Sequence, residues 1–355
     1  MFKLFKKIFR FFFCKKKREK ISSFKLERFH GNPIISPING LYWESKATFN
    51  PTAFENDGTI HILYRAVGQG DVSTLGYVTS HDGLFLKDKS FNPVFIHQQP
   101  SSKNCSLPLF YSSGGGGNGG AEDPRITKLE DMLYMTYTAF DGWGSVRIGL
   151  TSIRLKDFLN RNWNWKSPKL ISKPGEIHKN WAVFPEKING KYAILHSITP
   201  EILVEYFDNL QTLDGKKYIE SCYHNSSDWG PKNRKVRGIG PAPIKTEKGW
   251  LFLYHAMETN DPDRYKLFAM LTDLNDPTKI IAKSKKAVLE PEEHYENEGY
   301  KWGVVYSCGA VVKDNKLIVY YGGADMFSCV ATTDLNKFLN DLQNVTLEKK
   351  KNVRR

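Results

Sequence analysis

A short pattern returns five times along this 355-residue chain and constrains the fold more than any other feature. In each copy, a turn of Asp, Asn, Gly or Lys is followed by a short apolar strand that ends in Tyr or His. The copies are NDGTIHILYRA (56–66), EDMLYMTYTA (130–139), NGKYAILHSI (189–198), KGWLFLYHAM (248–257) and DNKLIVYYGG (314–323). A recurrence of this kind indicates that one supersecondary unit is used several times.

A second apolar strand follows each copy, so every unit contains a hairpin. These segments are STLGYVTSHDG (73–83), VRIGLTSIRLKDF (146–158), EILVEYFDNL (201–210), YKLFAMLTDLNDP (265–277) and SCVATTDLNKF (328–338). β-Branched and aromatic residues dominate them, as strands prefer, and only LNKFLNDLQNV near the end predicts a helix. The five units predict an all-β, five-bladed β-propeller over residues 24–345, whose inner strands converge on one funnel. A two-sheet sandwich is the alternative fold.

The positive charge is concentrated at the N-terminus. The net charge is +13, and residues 1–20 contain nine Lys or Arg against one Glu, which gives 9 − 1 = +8 and leaves 13 − 8 = +5 for the rest. A nucleic-acid protein spreads such charge over its folded body, so we expect no nucleic-acid partner. The tail of residues 1–23 is interpreted either as an amphipathic helix at a membrane surface or as a disordered basic tail. Residues 346–355 form a second basic tail.

Cysteine usage indicates the compartment. The five cysteines are scattered and no CxxC pair occurs, which argues against a structural zinc site and fits a reducing environment. We therefore expect a cytoplasmic protein, with the tail of residues 1–20 as a means of peripheral contact with the inner membrane surface. The sequence leaves open whether the chain forms a homo-oligomer.

A glycine-rich segment, GGGGNGG, runs into Glu122, Asp123, Pro124 and Arg125 just before the second copy of the repeat. Glycine lets the backbone turn tightly and approach a ligand, and Pro124 restricts the conformation of Asp123. The segment is not a phosphate-binding P-loop, because no Gly-Lys-Ser/Thr follows it. The alternative interpretation is a flexible surface loop with a solvated charge pair.

Other polar residues lie at the starts of units and at the ends of strands, where a propeller would direct them to a common funnel. Any one of them alone is more often structural than functional. Their recurrence at equivalent positions makes them candidates for one shared site. They are Asn50, Arg65, Lys179, Arg237, Tyr254, His255, Glu296 and Asp325.

Several segments, taken in order, resemble glycoside hydrolase family 130, which contains β-mannoside phosphorylases and some β-mannosidases. They are NPTAF (50–54), LYRA (63–66), GGAEDPRIT (119–127), YMTYTAF (134–140), FPEK (184–187), GWLFLYHAM (249–257), YENEG (295–299) and YYGGAD (320–325). The resemblance runs from about Asn32 to the C-terminal region and implies a five-bladed propeller. This sequence departs from many members in YHAM, where they have a glycine after the His, and in the additional Arg237.

The resemblance also implies roles for the candidates. Asp123 is the expected proton donor, acting through a hydroxyl of the bound mannose. Asp325 is the expected sugar-binding aspartate, with Asn50, Arg65, Glu296 and Tyr254 as further sugar or cleft-wall contacts. The basic cluster expected to hold phosphate is Arg125, Lys179 and His255.

Two reactions remain possible for such a site. Inverting hydrolysis needs a carboxylate base to activate water, for which the sequence offers Glu122, Glu176, Glu186, Glu258 and Glu296. Phosphorolysis needs cationic donors for phosphate instead. The three basic residues favour an inverting β-mannoside phosphorylase that converts a β-linked manno-oligosaccharide and phosphate into α-mannose 1-phosphate, reversibly.

We expect no metal and no organic cofactor for this reaction, and inorganic phosphate as co-substrate. A non-catalytic carbohydrate-binding propeller and a membrane-associated scaffold are the rival interpretations of other kinds. Substitution of Asp123 separates the first rival from an enzyme, and deletion of residues 1–20 separates the second.

Overall fold

The computed structural model describes residues 24–97, 117–142, 145–222 and 234–352. This part of the chain is all-β, with three short or terminal α-helices. It begins with the two-residue strand β1 (Glu27–Arg28), which pairs with the last strand of the chain rather than with its neighbours in sequence. The predictions for residues 1–23 lie outside the described residues.

The first two units are antiparallel and follow the predicted repeats. The first contains β2 (Ala47–Asn56), β3 (Thr59–Val67) and β4 (Ser73–Ser80), with β5 (Leu86–Lys87) and β6 (Phe95–Ile96) added to β4. The second contains β7 (Gly120–Leu129), β8 (Met132–Phe140), β9 (Val146–Arg154), helix α1 (Leu155–Leu159) and β10 (Lys169–Leu170). One parallel pairing, Ser73 with Gly120, joins the two units.

The third unit is the smallest in the described part of the chain. It contains β11 (Ala182–Val183), β12 (Tyr192–Ser197) and β13 (Leu203–Phe207), followed by a 3-10 turn at Leu210–Thr212. The fourth contains β14 (Arg234–Ile239), β15 (Ile244–Thr246), β16 (Gly249–Glu258), β17 (Asp261–Thr272) and β18 (Ile280–Lys283).

The fifth unit combines both ends of the described chain. After helix α2 (His294–Asn297) come β19 (Val305–Lys313), β20 (Lys316–Gly323) and β21 (Phe327–Asp334), and β1 pairs with β21. The predicted terminal helix is confirmed as α3 (Leu335–Asn352), which continues past the predicted domain boundary at residue 345. Among the described residues, no helix combines the length and the apolar character needed to cross a bilayer.

Large apolar clusters lie between the units, because consecutive strand residues point to opposite faces of a sheet. On β16, Trp250 and Phe252 pack with the third unit, whereas Leu251 and Leu253 pack with the fifth. Other clusters join units one and two, units two and three, and units five and one. Each unit therefore buries both of its faces against two other units.

Candidate active site

Two of the polar candidates come from irregularities in the first strands of their units. In β2 the register shifts between Phe49 and Thr52, and in β7 it shifts between Glu122 and Arg125. The residues inside these two bulges, Asn50 and Asp123, have φ of 49° and 50°. Asn and Asp tolerate this left-handed backbone better than most residues. A bulge re-aims a side chain out of the regular alternation, and here it directs both side chains towards each other.

Asp123 is buried, with 3 % of its surface exposed. Its Oδ1 accepts a hydrogen bond from Asn50 Nδ2 at 2.8 Å and one from Arg65 Nη1 at 3.2 Å. Lys179 Nζ lies 3.7 Å from its other oxygen. Burial favours the protonated form, but the charges of Lys179 and Arg65 outweigh it and hold the pKa of the Asp123 carboxyl below its usual range. A lowered pKa favours the ionised carboxylate at neutral pH.

Asn50 packs closely against Gly322. A Cβ added at Gly322 on β20 would lie 2.1 Å from Asn50 Oδ1, so the glycine is needed for this approach. The same Oδ1 is buried without a hydrogen-bond partner in the described structure. One N–H of Asn50 Nδ2 donates to Asp123, and Oδ1 remains as an acceptor.

Arg65 links the two adjacent carboxylates of the EDPR segment. Its Nη2 donates to Glu122 Oε1 at 3.0 Å, its Nη1 donates to Asp123, and its Nε donates to Ser73 Oγ at 3.0 Å. The guanidinium carbon also lies 4.7 Å from the centre of the Phe49 ring. Arg65 is 1 % exposed, so a sugar can reach little of its surface. Its contacts with the protein mainly support the structure.

Lys179 is the accessible cation of the site. Its side chain is 28 % exposed, whereas those of Arg65 and Arg125 are almost fully buried. It lies 3.9 Å from Glu122 Oε2 as well as close to Asp123. A cavity of about 190 Å³ opens beside it, and its walls include His178, Asn180, Arg237 and Tyr306.

Arg125 was expected to hold phosphate, but the structure commits most of its donors to the protein. Its Nε and Nη2 donate to the carbonyls of Gly240 and Ile239, Nη2 also donates to Asn180 Oδ1, and Nη1 donates to the carbonyl of Asp123. The sequence prediction missed this use because the carbonyls belong to a distant unit. Four of the five guanidinium N–H groups are thus used to hold strands together around Asp123.

His255 was also expected in a cationic cluster, and the structure shows it neutral. Burial and then the neighbouring charge of Arg125 lower the pKa of His255 to about 3. Its Nε2 accepts a hydrogen bond from the backbone N–H of Ser307 at 2.9 Å, which places the proton on Nδ1. Nδ1 is buried and has no partner in the described structure. His255 therefore offers one neutral donor and no positive charge.

Asp325 approaches the same centre from the fifth unit. It has φ of 52°, directly after β20, and is 7 % exposed. Burial raises the pKa of Asp325 to about 6, although Lys301 opposes the shift. The described residues make no hydrogen bond or ion pair to this carboxyl. A buried carboxyl with free acceptor oxygens suits the hydroxyls of a sugar.

Two predicted contacts are not brought to this centre. Tyr254 is fully buried in the apolar cluster between the third and fourth units, with its ring stacked on Phe268 at 5.7 Å. It is adjacent to His255 in the strand, so the two side chains point to opposite faces. Glu296 is fully buried, and its oxygens accept from Arg28, from Tyr321 and from two backbone N–H groups at the start of α2. Both residues stabilise the fold.

Asn180 is a site residue that the sequence prediction did not single out. It has φ of 65° and precedes β11, the position that corresponds to Asn50 and Asp123 in the first two units. Its Oδ1 accepts from Arg125 and from the Tyr306 hydroxyl, and its Nδ2 donates to the carbonyl of Arg237. Alignment of the unit starts, Asn-Pro, Asp-Pro and Asn-Trp, contains the signal that would have found it.

The described ranges contain no preformed metal site. No group of three or more His, Cys, Asp or Glu side chains there has an arrangement that could hold a metal ion. The arrangement offers instead a buried carboxylate flanked by a lysine and an arginine, a second buried carboxyl, and an unpaired imidazole N–H. These groups suit proton transfer to a substrate that carries several hydroxyls, with an anion as the attacking group.

Comparison with known proteins defines the class. The family model for glycoside hydrolase family 130, described as beta-1,4-mannooligosaccharide phosphorylase, matches residues 15–344. The chain belongs to this family of enzymes that act on β-mannosides. The resemblance noted in the sequence is thereby confirmed.

Individual relatives are named for particular substrates and linkages. The chain is 38 % identical to a 1,2-beta-oligomannan phosphorylase of Thermoanaerobacter sp. (strain X514), over 88 % of this chain and 98 % of the relative. It is 36 % identical to a beta-1,2-mannobiose phosphorylase of the same strain, over 88 % and 99 %. A solved structure described as belonging to GH130 hydrolases that target beta-1,2 mannosidic linkages in Candida mannan has 28 % identity and a TM-score of 0.69, over 88 % of this chain and 94 % of that one.

Proposed function

We propose that this protein is an inverting β-mannoside phosphorylase that uses inorganic phosphate to release α-mannose 1-phosphate from β-linked manno-oligosaccharides. The observation that carries the proposal is the buried Asp123 carboxylate with Lys179 and Arg65 beside it. The family and its relatives, which are named as phosphorylases, support it. The relatives at 38 % and 36 % identity are named for β-1,2 linkages, so we propose a β-1,2 linkage.

The fold that we propose for this function is a five-bladed β-propeller. The five antiparallel units support it, as do the apolar clusters between successive units and the pairing of β1 with β21. In this arrangement residues distant in sequence, such as Asn50, Asp123 and Asp325, meet at one axial funnel. We also propose that residues 24–345 form the catalytic domain between two basic tails.

The chemistry follows from the charges. A phosphate oxygen forms a bond to the anomeric carbon while the bond from that carbon to the leaving oxygen breaks, and the leaving oxygen takes up one proton. Asp123 supplies the proton, by way of a sugar hydroxyl, and regains one from solvent. Because bound phosphate would partly neutralise the charge of Lys179, the pKa of Asp123 rises when the site is filled, so the acid is protonated when it is needed.

Hydrolysis requires a carboxylate base, and the five glutamates that the sequence offers are engaged in ion pairs. Glu122 pairs with Arg65, Glu176 with Lys173, Glu186 with Lys245, Glu258 with Lys266, and Glu296 with Arg28. A carboxylate that is already paired with a cation is a weak base for water. Phosphate needs no such base, which favours phosphorolysis.

The decisive assay incubates the enzyme with β-1,2- or β-1,4-mannobiose, with and without phosphate. We expect mannose 1-phosphate from the β-1,2 disaccharide only when phosphate is present. Its initial α configuration, observed by NMR, reports inversion. Free mannose at the same rate in the absence of phosphate would identify a hydrolase, and binding of mannobiose without any turnover would identify a carbohydrate-binding protein.

Replacing Lys179 with Met should weaken phosphate use specifically. Hydrogen bonds to charged groups contribute about 1.5–3 kcal/mol, so we expect the KM for phosphate to rise by roughly 10- to 100-fold, with a smaller change in the KM for mannobiose. Lys187→Met is the control, because Lys187 pairs with Glu130 at the exposed surface. An unchanged KM for phosphate would remove Lys179 from the phosphate site.

A further inference from the structure

A second, larger cavity lies next to the one beside Lys179. It measures about 470 Å³ and is lined by Arg237, Met257, Asp263, Tyr265, Tyr300, Lys301 and Trp302. Its volume lies in the range of about 300–1,000 Å³ that is typical of small-molecule sites. None of the roles assigned above uses it.

The two cavities share part of their walls. Arg237 and Tyr265 line both of them, and the first cavity also contains Lys179 and Asn180. The shared residues therefore connect the cavity beside Lys179, whose Nζ lies 3.7 Å from Asp123 Oδ2, with the cavity that Trp302 borders. We expect a linear oligosaccharide that has its terminal unit at Asp123 to extend along these residues.

The outer wall is a loop attached to the Asp325 turn. The backbone N–H of Lys301 donates to the carbonyl of Ala324 at 2.9 Å, and the N–H of Ala324 donates to the carbonyl of Val304 at 3.1 Å. Through these bonds the loop of residues 298–303 has a fixed relation to Asp325. The cavity that it borders is thus held at a defined distance from the reacting sugar.

Two large aromatic side chains of this loop are exposed. Tyr300 is 58 % exposed and Trp302 is 54 % exposed, and both line the cavity. Arg264 lies over the Trp302 ring, 5.3 Å from its centre, which limits the freedom of the indole. Aromatic rings held in this way offer an apolar surface with a polar edge, and such a surface matches a sugar ring, which has C–H faces and hydroxyl edges.

We propose that Tyr300 and Trp302 form a distal subsite for mannose units beyond the disaccharide, and that they give the enzyme a preference for oligomannans of three or more units. This inference rests on the proposed function. One mannose unit leaves as mannose 1-phosphate, so every additional unit lies on the side of the leaving group. Lys301 and Arg237, which border the cavity, supply hydrogen-bond donors for the hydroxyls.

The test compares chain lengths in two variants. Trp302→Ala and Tyr300→Ala should each lower kcat/KM for β-1,2-mannotetraose by about five- to tenfold, the size expected for one aromatic contact. The value for β-1,2-mannobiose should stay within about twofold. Phe91→Ala is the matched control, because Phe91 is 81 % exposed and does not border the cavity. Equal losses on both substrates, or no loss on the tetraose, would overturn the subsite.

Failure of this inference can be told from failure of the proposed function. Phosphate-dependent turnover of mannobiose by the unsubstituted enzyme tests the function alone. If that turnover occurs and the chain-length ratio is unaffected by Trp302→Ala, only the subsite is wrong. If there is no turnover, calorimetric titration of mannotetraose into the unsubstituted protein and into Trp302→Ala still decides: weaker binding to the variant supports the subsite, and equal binding rejects it.

Discussion

Replacing Asp123 with Asn should lower the rate of phosphorolysis of β-1,2-mannobiose by about 10²- to 10⁴-fold, the usual contribution of a general acid. Asn keeps the shape of the side chain, and its Oδ1 can still accept the hydrogen bond from Asn50 that now reaches Asp123. The variant retains Arg65, Lys179 and Asp325, so we expect calorimetry to show mannobiose binding close to that of the unsubstituted enzyme. The rate is measured as mannose 1-phosphate formed.

A substrate with a better leaving group tests more directly whether Asp123 delivers the proton in the same variant. A 4-nitrophenyl β-mannoside has a leaving group that needs little protonation, so Asp123→Asn should lose much less activity on this substrate than on mannobiose. Equal losses on the two substrates would mean that Asp123 positions the sugar and does not deliver the proton. A rate within tenfold of the unsubstituted enzyme on mannobiose would place the acid elsewhere.

The lowered pKa of Asp123 is compatible with the proposed acid role. Its cause is external to the carboxyl, since Lys179 and Arg65 outweigh the effect of burial. In the proposed mechanism a bound phosphate shares Lys179 and a bound sugar excludes water, so we expect both substrates to raise the pKa of Asp123.

The sequence predicted the local elements well, because the residues that define a hairpin are neighbours along the chain. The five repeated segments correspond to β3, β8, β12, β16 and β20. Neighbouring residues were enough to predict these strands. The bulges at Asn50-Pro51 and Asp123-Pro124 were not predicted, although Asn and Asp tolerate the left-handed backbone found there.

Long-range use of side chains could not be read in the same way. Arg125 looked like a free cation, but it binds the carbonyls of Ile239 and Gly240, more than a hundred residues away. Tyr254 and His255 are neighbours in sequence, yet the strand sends one into the core and the other towards Asp123. Trp302 lies in a loop outside the repeat, so no periodic signal pointed to it. The sequence also favours the loops 97–120 and 221–240 as determinants of the acceptor side, and most of their residues lie outside the described ranges.

Replacing Arg65 with Met should lower the free energy of unfolding by about 3–5 kcal/mol, the usual cost of removing one partner from a buried ion pair. Arg65 is almost fully buried and holds both Glu122 and Asp123. Met fills part of the space over Phe49, but it leaves two adjacent carboxylates that have lost one of their ion-pair partners and keep Lys179. Urea denaturation at pH 7 measures the loss, and activity should fall with it because Asp123 is no longer held.

A double variant separates repulsion from lost packing. Arg65→Met combined with Glu122→Gln removes one of the two adjacent carboxylate charges, so it should recover part of the stability that Arg65→Met loses. If packing alone were responsible, the double variant would be no more stable than the single one. Lys46→Met is a surface control, because Lys46 pairs with Asp71 and is 47 % exposed, and we expect it to change stability by less than about 1 kcal/mol.

The pH dependence of the Arg65→Met penalty follows from the sign of the Asp123 shift. In the unsubstituted protein the pKa of Asp123 lies below its unfolded value of about 3.9, so its charge contributes stability above that value, and this is lost only as the pH falls through the folded pKa. Without Arg65, one of the charges that lower the pKa of Asp123 is lost, so the pKa of Asp123 in the variant rises towards the unfolded value. The ionised carboxylate then contributes less stability to the variant at pH 7, whereas at low pH, where the carboxyl is protonated, the contribution is lost from both proteins. The difference between the two proteins should therefore be larger at pH 7 than at about pH 3, and a difference that is constant or shrinks with rising pH would show that Arg65 does not control the charge of Asp123.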